Sequence, residues 1–260
     1  MSTILIMPRE ARKLPDDSIY HVLNRGNCRM RIFHKAGDFQ SFLKLLEEGR
    51  KRSGVRILGY CLMDNHWQLV LWPRKGKDFS KFLQWVGTTH VRRWREHRGR
   101  NGEGHLYQGR YKSFLVQEDG HFLTVMRYVE SNPLRAKMVR RAEDWPWSSL
   151  GGAGGPDGVK VQLEDWPVPR PRDWGEIVNE RIEEGELERL RVSVKRGRPY
   201  GKEQWVKRMV SRLGLETSMR QPWRPNGRRK WRGSRIKQDC PAGVPDPPIF
   251  ARKWGFWTIE

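Results

Sequence analysis

The sequence predicts an α+β fold: a ferredoxin-like split βαβ core, with an antiparallel sheet and helices on one face, plus a basic C-terminal extension. Apolar periodicity gives the order strand, helix, strand, strand, helix, strand over residues 18–116. The polar pair Asp64-Asn65 separates two apolar runs, as in a tight hairpin between antiparallel strands. Basic residues are concentrated late in the chain, which distinguishes the extension from the core.

The first strand and the first helix are predicted within residues 18–54. Two sets of side chains alternate from residue 18, with Ile19 and His21 in the same set, and the strand ends at Gly26. An amphipathic helix follows between Asp38, as its N-cap, and Gly54. Its apolar residues recur at three- and four-residue steps: Phe39, Phe42, Leu43 and Leu46.

The hairpin is predicted from Val55–Met63 and His66–Trp72. Side chains alternate between the two faces of a strand. In the second strand this puts one set of residues on one face, namely His66, Gln68, Val70 and Trp72, and the other set on the opposite face, namely Trp67, Leu69 and Leu71.

The remaining core elements are predicted as helix, strand and helix. An amphipathic helix spans about residues 78–97, and residues 111–116 form a fourth strand. A third helix spans about residues 118–132 and is broken by Pro133.

Composition indicates a polyanionic partner and an organisation into segments. The chain of 260 residues has a net charge of +21, which favours nucleic acid over an anionic membrane surface. No apolar run is long enough to span a membrane, so we expect a soluble, cytoplasmic, nucleoid-associated protein of bacterial type. We expect a leader at residues 1–17, a core at 18–150, a linker with a helix at about 174–190 in 151–194, a basic DNA-binding extension at 195–237, and an unassigned tail at 238–260.

Charge sets the boundary of the basic extension. Residues 156–194 carry 6 basic and 10 acidic residues, whereas residues 195–237 carry 15 basic and 2 acidic residues. Within this extension, a short helix is predicted at residues 204–213, and residues 221–234 resemble a disordered basic arm.

Two polar pairs are candidates for chemistry. His66 and Gln68, two apart on one strand, can bind one metal ion and leave positions open for substrate oxygens. Tyr128 and Asn132, four apart, lie one turn from each other on one helix face, with His121 about two turns back. Each pair also fits a structural role, as a packed strand histidine or as a capped helix end, and spacing alone leaves both open.

Five ordered segments resemble one protein family, the single-tyrosine transposases of the HUH superfamily, which carry an insertion-sequence-200-like transposase domain. Within that superfamily the resemblance is closest to the REP-associated tyrosine transposases. It covers most of residues 20–150. The matching segments are 20–27 (YHVLNRGN), 63–69 (MDNHWQL), 105–113 (HLYQGRYKS), 127–136 (RYVESNPLRA) and 145–149 (WPWSS).

The resemblance implies a ferredoxin-like catalytic core that cleaves and rejoins single-stranded, hairpin or repeat-containing DNA with Mg²⁺ or Mn²⁺. It implies Tyr128 as the nucleophile that forms a 5′-phosphotyrosine, His66 as a metal ligand, and Asn132 as the amide that completes the metal site. Gln68 stands where the family has its second histidine. Because an amide oxygen still binds hard cations, we expect the metal ligands His66, Gln68 and Asn132.

Basic and aromatic side chains are candidates for contacts with DNA. The residues expected to bind phosphates are Arg25, Arg29, Arg110, Lys112, Arg135, Arg196 and Arg198. The last two belong to a four-residue segment, Arg196-Gly197-Arg198-Pro199, that resembles a minor-groove hook. Arg127 or Arg135 is expected to help the tyrosine ionise. Three aromatic residues either stack on bases or belong to the core: Trp67, Trp72 and Tyr107.

Three functions therefore remain open at this point. The first is a metal-dependent DNA transposase. The second is a catalytically weakened DNA-binding protein that keeps the fold, because Gln68 replaces a histidine. The third is an RNA-binding protein that uses the same sheet. Both a monomer and a homodimer fit the sequence.

Overall fold

The computed structural model describes residues 13–99, 104–152 and 158–220. Within these residues a sheet of four strands contains β1 (Ile19–Arg25), β2 (Arg56–Met63), β3 (His66–Trp72) and β4 (Lys112–Val116). The strand order is β2-β3-β1-β4, and every neighbouring pair is antiparallel. The predicted α+β fold with a split βαβ order is confirmed.

Eight α-helices lie in the same described residues. They are α1 (Ala36–Ser53), α2 (Gly76–Arg98), α3 (Gly120–Glu130), α4 (Asn132–Arg135), α5 (Trp174–Asn179), α6 (Glu184–Arg196), α7 (Glu203–Leu213) and α8 (Glu216–Met219). None of them is long and apolar enough to cross a membrane.

The start of α1 differs from the prediction. Lys35, not Asp38, is the N-cap, and Asp38 lies in the first turn. Its carboxylate accepts hydrogen bonds from the backbone N–H groups of His34 and Lys35, at 2.7 and 3.3 Å. An acidic side chain can thus satisfy the free N–H groups of a helix start from inside the helix.

Helices cover both faces of the sheet. Helices α1 and α2 pack on one face, as predicted for the ferredoxin-like core, against residues such as Tyr20, Val22 and Leu69. Helices α3, α5 and α6 pack on the opposite face, against residues such as Ile19, Val70 and Phe114. The prediction of helices on one face therefore holds for the two core helices and not for the later ones.

Helix α3 approaches the sheet closely at β2. A Cβ atom on Gly59 would lie 2.2 Å from Cε of Met126, so with glycine at this position the methionine can pack directly on the strand. Ser131 separates α3 from α4, and Pro133 lies in the first turn of α4, where no intrahelical N–H is needed. Pro133 therefore starts a short helix here, directly after the break that the sequence predicted.

Both edges of the sheet are covered by later segments. At β2, the backbone of residues 145–149 pairs with the strand: the N–H of Leu62 donates to the carbonyl of Trp147, and the N–H of Ser149 donates to that of Tyr60, both at 2.9 Å. At β4, the backbone carbonyl of Tyr200 accepts a hydrogen bond from the N–H of Gln117 at 2.9 Å, and its N–H donates to the carbonyl of Leu115 at 2.8 Å.

The packed core extends beyond residue 150, where the composition predicted its end. Trp174, Ile182, Leu190 and Val194 are buried in the same cluster as the sheet. The single helix predicted at residues 174–190 is instead two helices, α5 and α6, and Ile182 between them is buried in this cluster. The predicted helix at 204–213 is confirmed as α7. The basic arm at 221–234 and the tail at 238–260 lie outside the described residues.

Candidate active site

Strand β3 presents His66 and Gln68 on the sheet face that packs against α3. Val70, two residues further on, belongs to the cluster on this face, whereas Trp67, Leu69 and Leu71 belong to the cluster on the other. The predicted alternation is therefore confirmed, and the imidazole and the amide share one face.

The imidazole of His66 is held in one tautomer, with the proton on Nδ1. Nδ1 lies 2.7 Å from Oδ1 of Asn65, so Nδ1–H donates to this oxygen and Nε2 keeps its lone pair. Burial, and then the nearby positive charges of Arg25 and Arg135, hold the pKa of His66 well below its usual range. The ring is therefore neutral at pH 7, the form that binds metals. Asn65 was predicted only as a turn residue.

Two side-chain amides converge on Nε2 of His66. Nδ2 of Asn132 lies 3.0 Å from it, and Nε2 of Gln68 lies 3.4 Å from it. Neighbouring ligands of an octahedral Mg²⁺ at ~2.1 Å are about 3 Å apart, so each of these two spacings is close to that of neighbouring ligands on one ion. Rotation of each amide by a half-turn would bring its oxygen to this position. The residues thus fit the predicted metal.

His21 on β1 is the partner of the Gln68 amide and was not predicted as a site residue. Its Nε2 lies 2.9 Å from Oε1 of Gln68, and the histidine is fully buried. Burial lowers the pKa of His21 to about 4, so the ring is neutral. Strand alternation put His21 and Ile19 in one set, but only the register of β1 with β3 connects that set to Gln68.

Tyr128 lies near the end of α3, between a histidine and an arginine. Its ring meets that of His21 edge to face, with ring centres 6.2 Å apart. The guanidinium carbon of Arg135 lies 4.2 Å from the centre of the tyrosine ring, and Nη2 of Arg135 donates to the backbone carbonyl of Tyr128 at 2.9 Å. Arg127 instead forms an ion pair with Glu180, at 3.6 Å. Of the two arginines predicted to help this tyrosine, the structure places Arg135 beside it.

Further basic residues extend from the site across the sheet. Arg25 is directly opposite His66 in the register of β1 with β3. Leu23 is opposite both Gln68 and Lys112, so Lys112 on β4 shares their face. Burial lowers the pKa of Lys112, and the charge of Arg25 lowers it further.

The hook-like segment lies beside β4. Arg196 ends α6, and Gly197 follows with φ +70°, a left-handed conformation that stops the helix. A Cβ atom on Gly197 would lie 3.4 Å from the carbonyl oxygen of Ser113. Arg196 and Arg198 therefore flank the same edge strand that carries Lys112. Arg29 follows β1 in a short turn, where its φ is 61°.

Some candidates lie elsewhere. Arg110 lines a groove against α2 together with Leu83 and Tyr111, on the side of the sheet away from His66. Trp67 and Tyr107 are buried and joined by a hydrogen bond of 2.8 Å, so they are core residues and do not stack on bases. The ring of Trp72 is covered by the guanidinium of Arg56, at 3.8 Å. The imidazole of His121 forms a hydrogen bond with the carboxylate of Asp119 and packs against the ring of Tyr200.

Glu130 is a buried acid that sequence reasoning missed. It is 1% exposed, and it accepts hydrogen bonds from Oγ of Ser149 at 2.5 Å and from Nε1 of Trp174 at 2.7 Å. Burial raises the pKa of this carboxyl group. Glu130 therefore links α3, the helix that carries Tyr128, to residues 145–149 at the edge of β2 and to α5.

Fold and site together define an α+β protein in which the helix that carries Tyr128 lies next to a neutral histidine and two amides. Among the described residues, no three His, Cys, Asp or Glu side chains form a group able to hold a metal ion. A metal at this site would therefore depend on the amide oxygens of Gln68 and Asn132.

Comparison with known proteins finds a family match over part of the chain. Residues 16–132 match the model of the family described as transposase IS200 like, so this part of the chain is similar to that family. A sequence comparison with the curated proteins finds no match.

Two solved structures are similar to the chain. One is a REP-associated tyrosine transposase bound to a REP hairpin, 14% identical, with a TM-score of 0.46, covering 68% of this chain and 99% of that one. The other is described as a transposase from Deinococcus radiodurans R1, 15% identical, with a TM-score of 0.35, covering 48% of this chain and 96% of that one.

Proposed function

We propose that the chain is a metal-dependent, single-tyrosine DNA transposase that cleaves and rejoins single-stranded or hairpin DNA through a 5′-phosphotyrosine. The observation that carries this proposal is the convergence of His66, Gln68 and Asn132 one helical turn from Tyr128. The match of residues 16–132 to a transposase family model supports the DNA-processing part of the proposal.

The metal ligands that we assign are Nε2 of His66 and the amide oxygens of Gln68 and Asn132. When bound, Mg²⁺ or Mn²⁺ supplies Lewis-acid polarisation of the scissile phosphate. Asn65 holds the imidazole so that Nε2 faces the two amides. The three ligands leave coordination positions open to phosphate oxygens and water.

In the cleavage step, the phenolic oxygen of Tyr128 attacks the scissile phosphorus. A bond from this oxygen to phosphorus forms, and the bond from phosphorus to the 3′ oxygen of the upstream strand breaks. The upstream strand leaves with a free 3′-hydroxyl, and the downstream 5′-phosphate stays on the tyrosine. Because the phosphotyrosine conserves the energy of the phosphodiester bond, another 3′-hydroxyl can reverse the step without ATP.

Arg135 is the cation that we assign to this step. Its contact with the ring of Tyr128 supports the assignment, since a positive charge there favours the charge that develops on the phenolic oxygen. Two further N–H groups of Arg135, Nε and Nη1, are buried and have no hydrogen-bond partner among the described residues. They are able to donate to a phosphate oxygen.

The DNA strand is proposed to follow basic residues along the end of the sheet where β1 finishes and β3 and β4 begin. Arg25 and Lys112 lie on the same face as His66. Arg196 and Arg198 continue this basic path beyond the edge of β4. Phosphate contacts of this kind position a strand without reading its sequence.

A covalent-adduct assay tests the proposal. The protein is incubated with a labelled DNA hairpin carrying single-stranded flanks, with Mg²⁺ or with a chelator, and adducts are separated under denaturing conditions. We expect a metal-dependent adduct that Tyr128→Phe abolishes. Tyr111→Phe, which alters a tyrosine on the other side of the sheet, is the matched control and should keep the adduct. A full adduct with Tyr128→Phe would refute the assignment of the nucleophile.

A DNA-binding protein without cleavage activity is the second candidate. It is favoured by the contact of Gln68 Oε1 with His21, which directs this oxygen away from His66. The variant Gln68→His discriminates between the two. Cleavage by the variant where the wild type gives none would support the binding-only function. Equal affinity for DNA and RNA hairpins of the same sequence would favour an RNA ligand instead.

A further inference from the structure

His21 lies at the base of the candidate site, between a proposed metal ligand and the proposed nucleophile. It touches Gln68 through a hydrogen bond of 2.9 Å and Tyr128 through a ring edge. On its other side it packs against Phe114, with ring centres 4.8 Å apart. These contacts enclose the imidazole completely, so it has one fixed position from which to act on its neighbours.

The orientation of the Gln68 amide decides whether this residue can bind a cation. With Oε1 on His21, the amide presents Nε2–H to His66, and an N–H group cannot ligate a metal. If the amide is turned by 180°, Oε1 of Gln68 and Nε2 of His66 both face the proposed cation position. Nε2–H of the amide then faces Nε2 of His21, which must offer a lone pair.

The ring of His21 is able to serve both orientations. Its Nδ1 is buried and has no hydrogen-bond partner among the described residues, so no neighbour there fixes the tautomer. With the proton on Nε2, the ring donates to the Gln68 oxygen. With the proton on Nδ1, the ring accepts from the Gln68 amide.

We propose that His21 is the positioning residue of the metal site: in its Nδ1–H tautomer it accepts a hydrogen bond from Nε2 of Gln68 and so directs the amide oxygen at the cation. The role rests on the proposed function, because it requires Gln68 to be a ligand. It accounts for a glutamine at this position, since its partner can hold the amide in the ligating orientation. Partners of this kind typically change metal affinity by about 10- to 100-fold.

Nitrogen-15 NMR of histidine-labelled wild-type protein tests the tautomer directly. Ring nitrogens with and without a proton have well-separated shifts, and the His21 signals are assigned by their loss in His21→Phe. We expect Nε2 to carry the proton without metal and Nδ1 to carry it with saturating Mg²⁺. A proton that stays on Nε2 in the metal-bound protein would overturn the proposal.

Mn²⁺ affinity, measured by electron paramagnetic resonance, separates this role from the metal site itself. His66→Ala tests the site: affinity equal to that of the wild type, or no binding by the wild type, would refute the site and with it the role of His21. With the site intact, His21→Phe should lower affinity about 10- to 100-fold, and in a Gln68→Ala background it should have no further effect. Equal affinity of wild type and His21→Phe would refute the role of His21 alone, and so would an equal drop in both backgrounds.

Discussion

Replacement of Arg135 by methionine should slow DNA cleavage by about two orders of magnitude. The guanidinium carbon lies 4.2 Å from the centre of the Tyr128 ring, which places the positive charge about 5 Å from the phenolic oxygen. At an effective dielectric constant of about 20, two unit charges at that distance interact by about 3 kcal/mol. A loss of this size in the transition state corresponds to about a hundredfold in rate.

The assay is single-turnover formation of the tyrosine adduct on a labelled hairpin with saturating protein. Arg127→Met is the matched control, because Arg127 precedes Tyr128 in the chain but pairs with Glu180. This control should react within about threefold of the wild type, since an exposed or partly exposed ion pair contributes little. Arg135→Lys keeps the charge and should recover part of the rate.

Two results would refute this reasoning about Arg135. One is an Arg135→Met protein that reacts within threefold of the wild type, and the other is an equal loss of rate in Arg127→Met. Because Arg135→Met also removes a hydrogen bond to the backbone of Tyr128, thermal unfolding of each variant must accompany the rates.

Four other predictions use equilibrium measurements. Burial raises the pKa of Glu130 above the unfolded value of 4.5, so the wild type loses stability as pH rises from that value through the folded pKa. Glu130→Gln cannot ionise and should not show this loss. Urea unfolding at several pH values measures the free energy of unfolding, and an equal dependence of this free energy on pH in both proteins would contradict the prediction. Glu130→Ala leaves the indole N–H of Trp174 without its acceptor and should lower the free energy of unfolding by about 1–3 kcal/mol in the same experiment. Arg196→Ala and Arg198→Ala should each lower the slope of log affinity against log salt by about 0.7 for single-stranded DNA, and an unchanged slope would place them off the DNA. Asn65→Ala frees the imidazole that it orients and should weaken Mn²⁺ binding about 10- to 100-fold, whereas unchanged affinity would contradict the tautomer assigned to that ring.

The parts of the fold that depend on local periodicity could be predicted from the sequence. Strand alternation alone puts His66 and Gln68 on one face, because side chains in a strand repeat every two residues. Helical spacing likewise predicts Tyr128 and Asn132 on one side. Across the break at Ser131, Tyr128 contacts His21 and Asn132 lies 3.0 Å from His66.

Contacts that depend on tertiary packing could not be predicted in this way. His21 and Gln68 are 47 residues apart, and only the register of two strands joins them. Glu130 is charged, so periodicity alone gives no reason to bury it; donors from Ser149 and Trp174 make burial possible. The contact between Arg135 and Tyr128 is different, because helical spacing favours it: the two residues are seven apart, or about two turns.

The covered edges of the sheet limit how two copies of this chain can associate. An open edge strand offers unpaired backbone groups to the edge of another sheet. Here the segment at residues 145–149 occupies the edge of β2, and Tyr200 occupies that of β4. A second copy cannot lengthen the sheet at either end without first displacing one of these segments, so a homodimer would have to form through helix or loop surfaces.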